Sequence, residues 1–348
     1  MAERVYLDWN ASAVLRPEAR AAMIAALDVH GNPSSVHGEG RRARGIVEKA
    51  RLQVSEAIGA AGADIVFTSG ATEAGALALA GRGLSSADIE HDAVQAWTMG
   101  DLPVDGNGRV DVSDPANSCV QLANAESGVI QDLPAGLAVS DMTQAFGKIP
   151  VAFDWLGCDM GLVSAHKLGG PTGVGALIIR QGVDVAARTL GGGQEMGRRS
   201  GTENVAGIAG FGAAAQAAAR DLANGVWDQV AKLRDLLEEG LKAEAKDLVI
   251  IGQGANRLPN TSYFASPGWK GETQVMAMDM AGFAVSAGSA CSSGKVRASR
   301  VLRAMGYDEA IGTSAIRVSL GPLTTQEEIL RFVDSWAAAH KRYRAKAA

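Results

Sequence analysis

Through roughly the first 250 residues of this chain, short apolar runs alternate with stretches of helical spacing, and Gly-rich turns separate the two. No other feature narrows the fold as much. Strands that alternate with helices read as an α/β fold with helices packed on a largely parallel sheet. Arg16-Pro17 opens a helix through Leu27, with Pro in the first turn and Gly31 just past the end. Residues 40–58 read as a second helix. Residues 65–68 form a short apolar strand that runs through Ser69-Gly70 into an Ala-rich helix over 71–79. Residues 119–123 and 138–140 are strand candidates, and strands at 161–164 and 175–179 flank a Gly-rich loop. Residues 205–245 carry one or two long helices. After Ile251 the texture changes to short strands and turns, and Thr324-Thr325-Gln326-Glu327 is a capping box that starts a final amphipathic helix. The change in texture places a domain boundary near 250; the expected division is a large domain at 15–249 and a smaller α+β domain at 1–14 and 250–348.

A chain of 348 residues suits a two-domain enzyme subunit. Its net charge of −5 supplies no overall basic field for nucleic acid or an anionic membrane. The start, MAERVYLDWN, lacks the apolar stretch of a secretory signal, and no apolar run is long enough for a bilayer span. A cytoplasmic location is the expectation. The three cysteines, Cys119, Cys158 and Cys291, form no CxxC pair, and the five histidines show no HExxH spacing, so no metal site is expected. Two nucleotide motifs fail. Val296 stands where a phosphate loop after Gly294-Lys295 needs Ser or Thr. Met196 stands where the run Gly191-Gly192-Gly193 needs its last dinucleotide-binding glycine.

Other residues carry chemistry. Lys167 follows a short apolar strand and enters the turn Leu168-Gly169-Gly170-Pro171. It is either a loop lysine or a Schiff-base residue whose pKa partial burial lowers. Asp141 ends a strand some 25 residues earlier, with Gln144 three residues on. It suits a helix cap, or the carboxylate that keeps a pyridine nitrogen protonated. The turn from Thr68 to Glu73, including Ala71 and Thr72, offers helix N-terminal amides and a hydroxyl, either for capping or for a phosphate. Cys291 lies among Ser and Gly with Lys295 near, the setting of an exposed thiolate, whereas Cys119 and Cys158 lie in apolar surroundings. Arg317 sits on a strand pattern, where it serves an ion pair or binds a carboxylate bidentately.

Together these stretches resemble the class V aminotransferase-like cysteine desulfurases of the NifS/IscS type. The matching segments keep the family's order along nearly the whole chain: GNPSSVHGEGRRAR (31–44), FTSGATEA (67–74), Glu90-His91, ESGVIQ (126–131), Asp141 with Gln144, SAHKLGGPTGVGAL (164–177), GGGQEMGRRSGTENV (191–205), GSACSSGK (288–295) and IRVSLG (316–321). The resemblance implies a fold-type I homodimer that uses pyridoxal 5'-phosphate to convert L-cysteine to L-alanine. Lys167 would hold the cofactor, and His91 would stack on its ring and shuttle protons. Asp141 would pair with the ring nitrogen and Gln144 with the ring oxygen. Ala71, Thr72, Ser164 and His166 would hold the phosphate, with Thr202 arriving from the other subunit. Asn32 and Arg317 would bind substrate. Cys291 would take the sulfur as a persulfide and pass it to an acceptor protein, either an iron–sulfur scaffold or a tRNA-thiolation protein. A selenocysteine lyase of the same fold and a non-catalytic paralogue are the competing possibilities.

The chain also departs from the family. Ala125 replaces the second residue of Asn-Asn-Glu, Gly75-Ala76 an Asn pair, Ser140 a histidine, and Trp9 the first Asn of Asp-Asn-Asn. Only a few residues, 131–136, separate ESGVIQ from the next strand, and the segment between Gly83 and Glu90 is short. A trimmed large domain with altered sheet cover is therefore expected, with catalysis weaker or completed by a partner.

Overall fold

The computed structural model describes residues 4–288 and 298–347. Val5–Tyr6 (β1) is followed by helices Pro17–Leu27 (α1) and Gly38–Ile58 (α2). Ala63–Thr68 (β2) leads into Ala71–Leu79 (α3), then Ser85–Ala87 (β3), Asp92–Gln95 (α4) and Met99–Leu102 (β4). Val139–Asp141 (β5), Phe153–Leu156 (α5), Met160–Ser164 (β6) and Gly175–Arg180 (β7) complete the central sheet and its connections.

In that sheet β7 runs antiparallel between β2 and β6, and β5 pairs parallel with β6. Parallel bridges Cys119–Val139 and Ser85–Ser118 then carry the sheet through the extended 118–123 segment to the parallel pair β3–β4. The sheet is thus mostly parallel, with β7 its one antiparallel strand among the described residues. Apart from β7, its strands end at one edge, and in open α/β sheets ligands bind outside the carboxyl ends of the strands.

Helix α2 buries Ala43, Val47, Ala50, Val54 and Ile58, a helical spacing that faces the sheet and the long helix Val205–Ala223 (α6). Gly212 of α6 makes the close crossing possible: a Cβ there would stand 2.7 Å from Ala50 Cα. His37 caps α2 at its start and the left-handed Gly59 ends it. The other face of the sheet has thin cover, chiefly α3 packed on Val66, Val139, Leu162 and Leu177.

The shortened 131–136 connection carries no helix. After Asn124 the chain doubles back, with Ile130 bridging Ala123, and loop residues Val110, Val112, Ile130 and Leu133 pack against the core cluster that includes Val120, Leu122 and Leu137. Irregular segments cover what a helix would otherwise cover.

The remaining elements are Val226–Glu244 (α7), Val249–Ile250 (β8), Thr261–Ala265 (β9), Gly271–Met280 (α8), Phe283–Ala284 (β10), Ser286–Ala287 (β11), Arg300–Ala304 (α9), Glu309–Gly312 (α10), Ala315–Ser319 (β12) and Gln326–Ala347 (α11). The antiparallel sheet β11-β12-β9-β8 shares a second core with α7, α8 and α11, built on Trp227, Leu237, Phe264, Trp269, Phe332 and Trp336. The N-terminal strand joins it: β1 pairs with β10, and Asp8 bridges Ser319. The capping box lies one residue later than the motif suggests. Thr325 and Glu328 exchange the reciprocal bonds, while Thr324 Oγ1 instead accepts from Gly321 N at 3.0 Å.

Candidate active site

A cavity of about 480 Å³ opens at the carboxyl edge of the central sheet, a size typical of small-molecule sites. The carboxyl ends of β2, β3, β5 and β6 and the 118–123 segment contribute to it. The turn after β2 brings Ser69 to Thr72, the turn after β3 brings His91, the 118–123 segment brings Gln121 and Ala123, β5 brings Asp141 and β6 brings Ser164 to Lys167. From the second core, β12 reaches in with Arg317.

Lys167 sits in a single 3₁₀ turn directly after β6, whose five residues are all buried. Its Nζ donates to the carbonyls of Asn10 and Ala11 at 2.8 and 2.9 Å. Burial, helped by the charge of Arg317, pulls its pKa down to about 8. Asp141 is 8% exposed and accepts from Thr143 N at 2.9 Å. Gln144 donates from Nε2 to Asn10 O at 3.0 Å and accepts on Oε1 from Lys148. His166 sits beside Ser12 Oγ at 3.3 Å, and burial with the neighbouring Lys167 and Lys148 pulls it down to about 4. Its imidazole is therefore neutral near pH 7.

The first turn of α3 forms one wall. Gly70 precedes it with φ 158, and no side chain caps the helix. The turn lies hard against β7: a Cβ on Gly175 would stand 2.6 Å from Val163 O and 2.7 Å from Gly70 Cα. First-turn amides, the Thr72 and Ser164 hydroxyls and neutral His166 thus converge on one end of the cavity, an arrangement that suits a phosphate. Glu73 accepts from Ser69 N at 2.6 Å and from Arg199 at 2.8 Å, tying the 191–204 segment to this turn.

His91 caps α4, its Nδ1 accepting from Ala93 N at 3.1 Å, and it is exposed at the rim of the cavity. Arg317 donates from Nη2 to Asp8 Oδ1 and from Nη1 to Ala125 O, both at 2.9 Å, while its buried Nε has no partner. The ion pair expected of a strand arginine is present, and the same guanidinium faces the cavity.

Not every expected residue converges. Asn32 is exposed and outside the lining, its Oδ1 accepting from Ser34 N at 2.9 Å. Thr202 is exposed and outside it too. Cys291 lies outside the described residues. Cys119 and Cys158 are buried, and burial drives both thiols well up, Cys158 to about 12. No cluster among the described residues could hold a metal ion, and no helix among them is long and apolar enough to cross a membrane.

Asn10, the last residue of the altered Asp8-Trp9-Asn10 stretch, and Lys148, to which the sequence assigns no role, organise the site. Buried Asn10 accepts from Lys167 and Gln144 on its carbonyl and from Lys148 and Asn260 on Oδ1, and it donates to Thr261 and Ala125. The altered positions are repacked. The ring of Trp9 fills the space over Gly321, where a Cβ would approach to 2.1 Å, and Gly75 is closed off by Ala93 O. Ser140 alone leaves a buried hydroxyl unpartnered where the family pattern has histidine.

The residues fit pyridoxal 5'-phosphate. A carboxylate, an amine of lowered pKa and a phosphate cradle surround one cavity of suitable size. The aminotransferase class-V family model matches residues 5–95 and 118–332. The chain is 40% identical to a cysteine desulfurase of Cereibacter sphaeroides, over 95% of this chain and 94% of that protein. It is 37% identical to cysteine desulfurase IscS 1 of Archaeoglobus fulgidus, over 97% of each. Among solved structures, a NifS-like protein of Rickettsia africae superposes with a TM-score of 0.88 at 31% identity, covering 97% of this chain and all of that one (100%).

Proposed function

The chain belongs to the class-V aminotransferase family, and on that premise we propose that it is a pyridoxal-phosphate-dependent cysteine desulfurase that carries sulfur away on Cys291. The convergence of Lys167, Asp141, His91 and Arg317 on one cavity supports this most directly.

When bound, pyridoxal phosphate supplies an electron sink for the carbanion at the substrate Cα. Lys167 would hold the cofactor covalently through its amine. That amine, with its pKa pulled down to about 8, would be the group that takes the Cα proton. Asp141 would keep the ring nitrogen protonated, and Gln144 would donate to the ring oxygen. Ala71, Thr72, Ser164 and His166 bind the phosphate. Arg317 binds the substrate carboxylate, which displaces or shares the present contact with Asp8. His91, at the rim, carries protons to and from the reacting groups. The Cys291 thiolate attacks the substrate sulfur, so that an S–S bond forms as the Cβ–S bond breaks. The electron pair goes to Cβ, which takes a proton carried by His91; Cα regains the proton held by the Lys167 amine, and alanine leaves.

The reaction belongs in the cytoplasm, with an iron–sulfur scaffold or a tRNA-thiolation protein as sulfur acceptor. A homodimer completes the site, with Thr202 of one subunit reaching the phosphate of the other and Asn32 contributing to substrate binding. The altered polar positions bear on a non-catalytic reading, but Gly75 is sealed against Ala93 O rather than eroded into a void.

The test is turnover. Protein loaded with cofactor, given L-cysteine and a thiol, is expected to release alanine and sulfide in equal amounts. Cys291→Ser should keep the cofactor absorbance and lose sulfur release. Equal turnover by that variant and the parent removes Cys291 from the mechanism. A much higher rate on selenocysteine than on cysteine favours a lyase.

A further inference from the structure

We propose that Lys148 is a positioning residue that fixes the side-chain amide of Gln144, so that an N–H rather than a C=O faces the cofactor cavity. The proposal deepens the functional reading above and rests on it.

Lys148 is only 2% exposed, at a depth where lysine is seldom found without a carboxylate. Its partners are two amide oxygens, Gln144 Oε1 and Asn10 Oδ1, the latter at 3.2 Å. No carboxylate pairs with it among the described residues. Burial and the like charges of Lys167 and Arg317 hold its pKa well below that of an ordinary lysine. His166 also senses this amine.

The consequence falls on Gln144. An amide side chain that faces a ligand can present oxygen or nitrogen, and the hydrogen-bond network decides which. Lys148 can only donate here, because both partner atoms are acceptors. Gln144 Oε1 is thereby turned to the interior, and Nε2 to Asn10 O at 3.0 Å. One Nε2 proton meets Asn10, and the second is left for the cavity that Gln144 lines.

Lys148→Met would keep much of the volume while leaving Gln144 Oε1 without a donor. Asn10 Oδ1 would still accept from Asn260 at 3.0 Å, so the loss falls selectively on Gln144. A buried acceptor without a partner is costly, and a flip of the amide would turn its oxygen toward the acceptor oxygen of the cofactor ring.

The experiment is a double-mutant cycle of K148M and Q144L with two readouts. In apoprotein, the two changes in Tm are expected to be non-additive, K148M adding little once Q144L is present. In titrations with pyridoxal 5'-phosphate, K148M is expected to weaken binding about tenfold and to shift the absorbance maximum, with no further change in the Q144L background. Additive effects on Tm, or parent-like affinity and spectrum in a folded K148M, overturn the proposal. If the parent itself binds no cofactor, the functional reading fails, and the apoprotein cycle still decides whether Lys148 acts through Gln144.

Discussion

At the scale of single residues, the site depends on one amine held in an unusual state. The Lys167 pKa, pulled down to about 8, leaves a large neutral fraction in mildly alkaline solution, whereas an ordinary lysine at 10.5 stays charged. Acylation of Lys167 in apoprotein, followed by peptide mass analysis, should therefore rise through pH 8. A rise only above pH 10 would contradict the account. The same shift has a stability consequence. Between about 8 and 10.5 the unfolded chain keeps a proton that the folded chain has lost, so this group makes stability rise with pH across that window. Lys167, Asp141 and His91 were legible in the sequence because each belongs to an ordered set of motifs. Asn10 and Lys148 were not. The Asn10 side chain meets partners 115 to 251 positions away, Lys148 meets it across 138 positions although its other partner, Gln144, is only four away, and an isolated Lys gives no sign of burial.

At the scale of elements, apolar runs and turn residues located the strands, because β2, β5, β6 and β7 are buried strands bounded by polar turns or Gly. The starts of α1 and α3 could be read from Pro17 and from the Gly70 turn. The capping box slipped by one residue because Thr324 and Thr325 both satisfy the pattern, and only the bond of Thr324 to Gly321 separates them. That β7 runs antiparallel could not be read from composition, since a buried strand looks alike in either direction. Its close approach to the Gly70 turn yields a prediction. Gly175→Ala would press a methyl group against backbone atoms of Val163 and Gly70, and overpacking of this kind costs about 1–3 kcal/mol. Thermal unfolding should show that loss, together with weaker cofactor binding, because the Gly70 turn proposed to hold the phosphate must shift. Unchanged affinity would separate β7 from the cradle.

At the scale of the molecule, two cores meet at the site, and polar contacts fasten them together. Arg317 of the second core reaches Ala125 of the first, and Arg257 bridges Val129 while holding Glu238 of α7 at 2.7 and 3.0 Å. Both members of the Arg257–Glu238 pair are nearly sealed from water. Removing one partner of such a pair costs about 3–5 kcal/mol, so Glu238→Ala should lower Tm sharply while the cofactor absorbance of the folded fraction is unchanged. A neutral effect on stability would show that the pair does not tie the cores. The loss of a crossover helix was readable from the short 131–136 connection. Its replacement by loop side chains was not, because Val110, Val112, Ile130 and Leu133 become neighbours only in the folded chain.

The central claim is that a single amine anchors the coenzyme in the cavity at the carboxyl edge of the sheet. Borohydride reduction of protein loaded with pyridoxal 5'-phosphate, followed by proteolysis and mass analysis, tests it directly. The added mass is predicted on the peptide containing Lys167 and nowhere else, and to disappear in Lys167→Ala. Stoichiometric labelling of another lysine, Lys148 included, or no labelling of a folded parent, would contradict it.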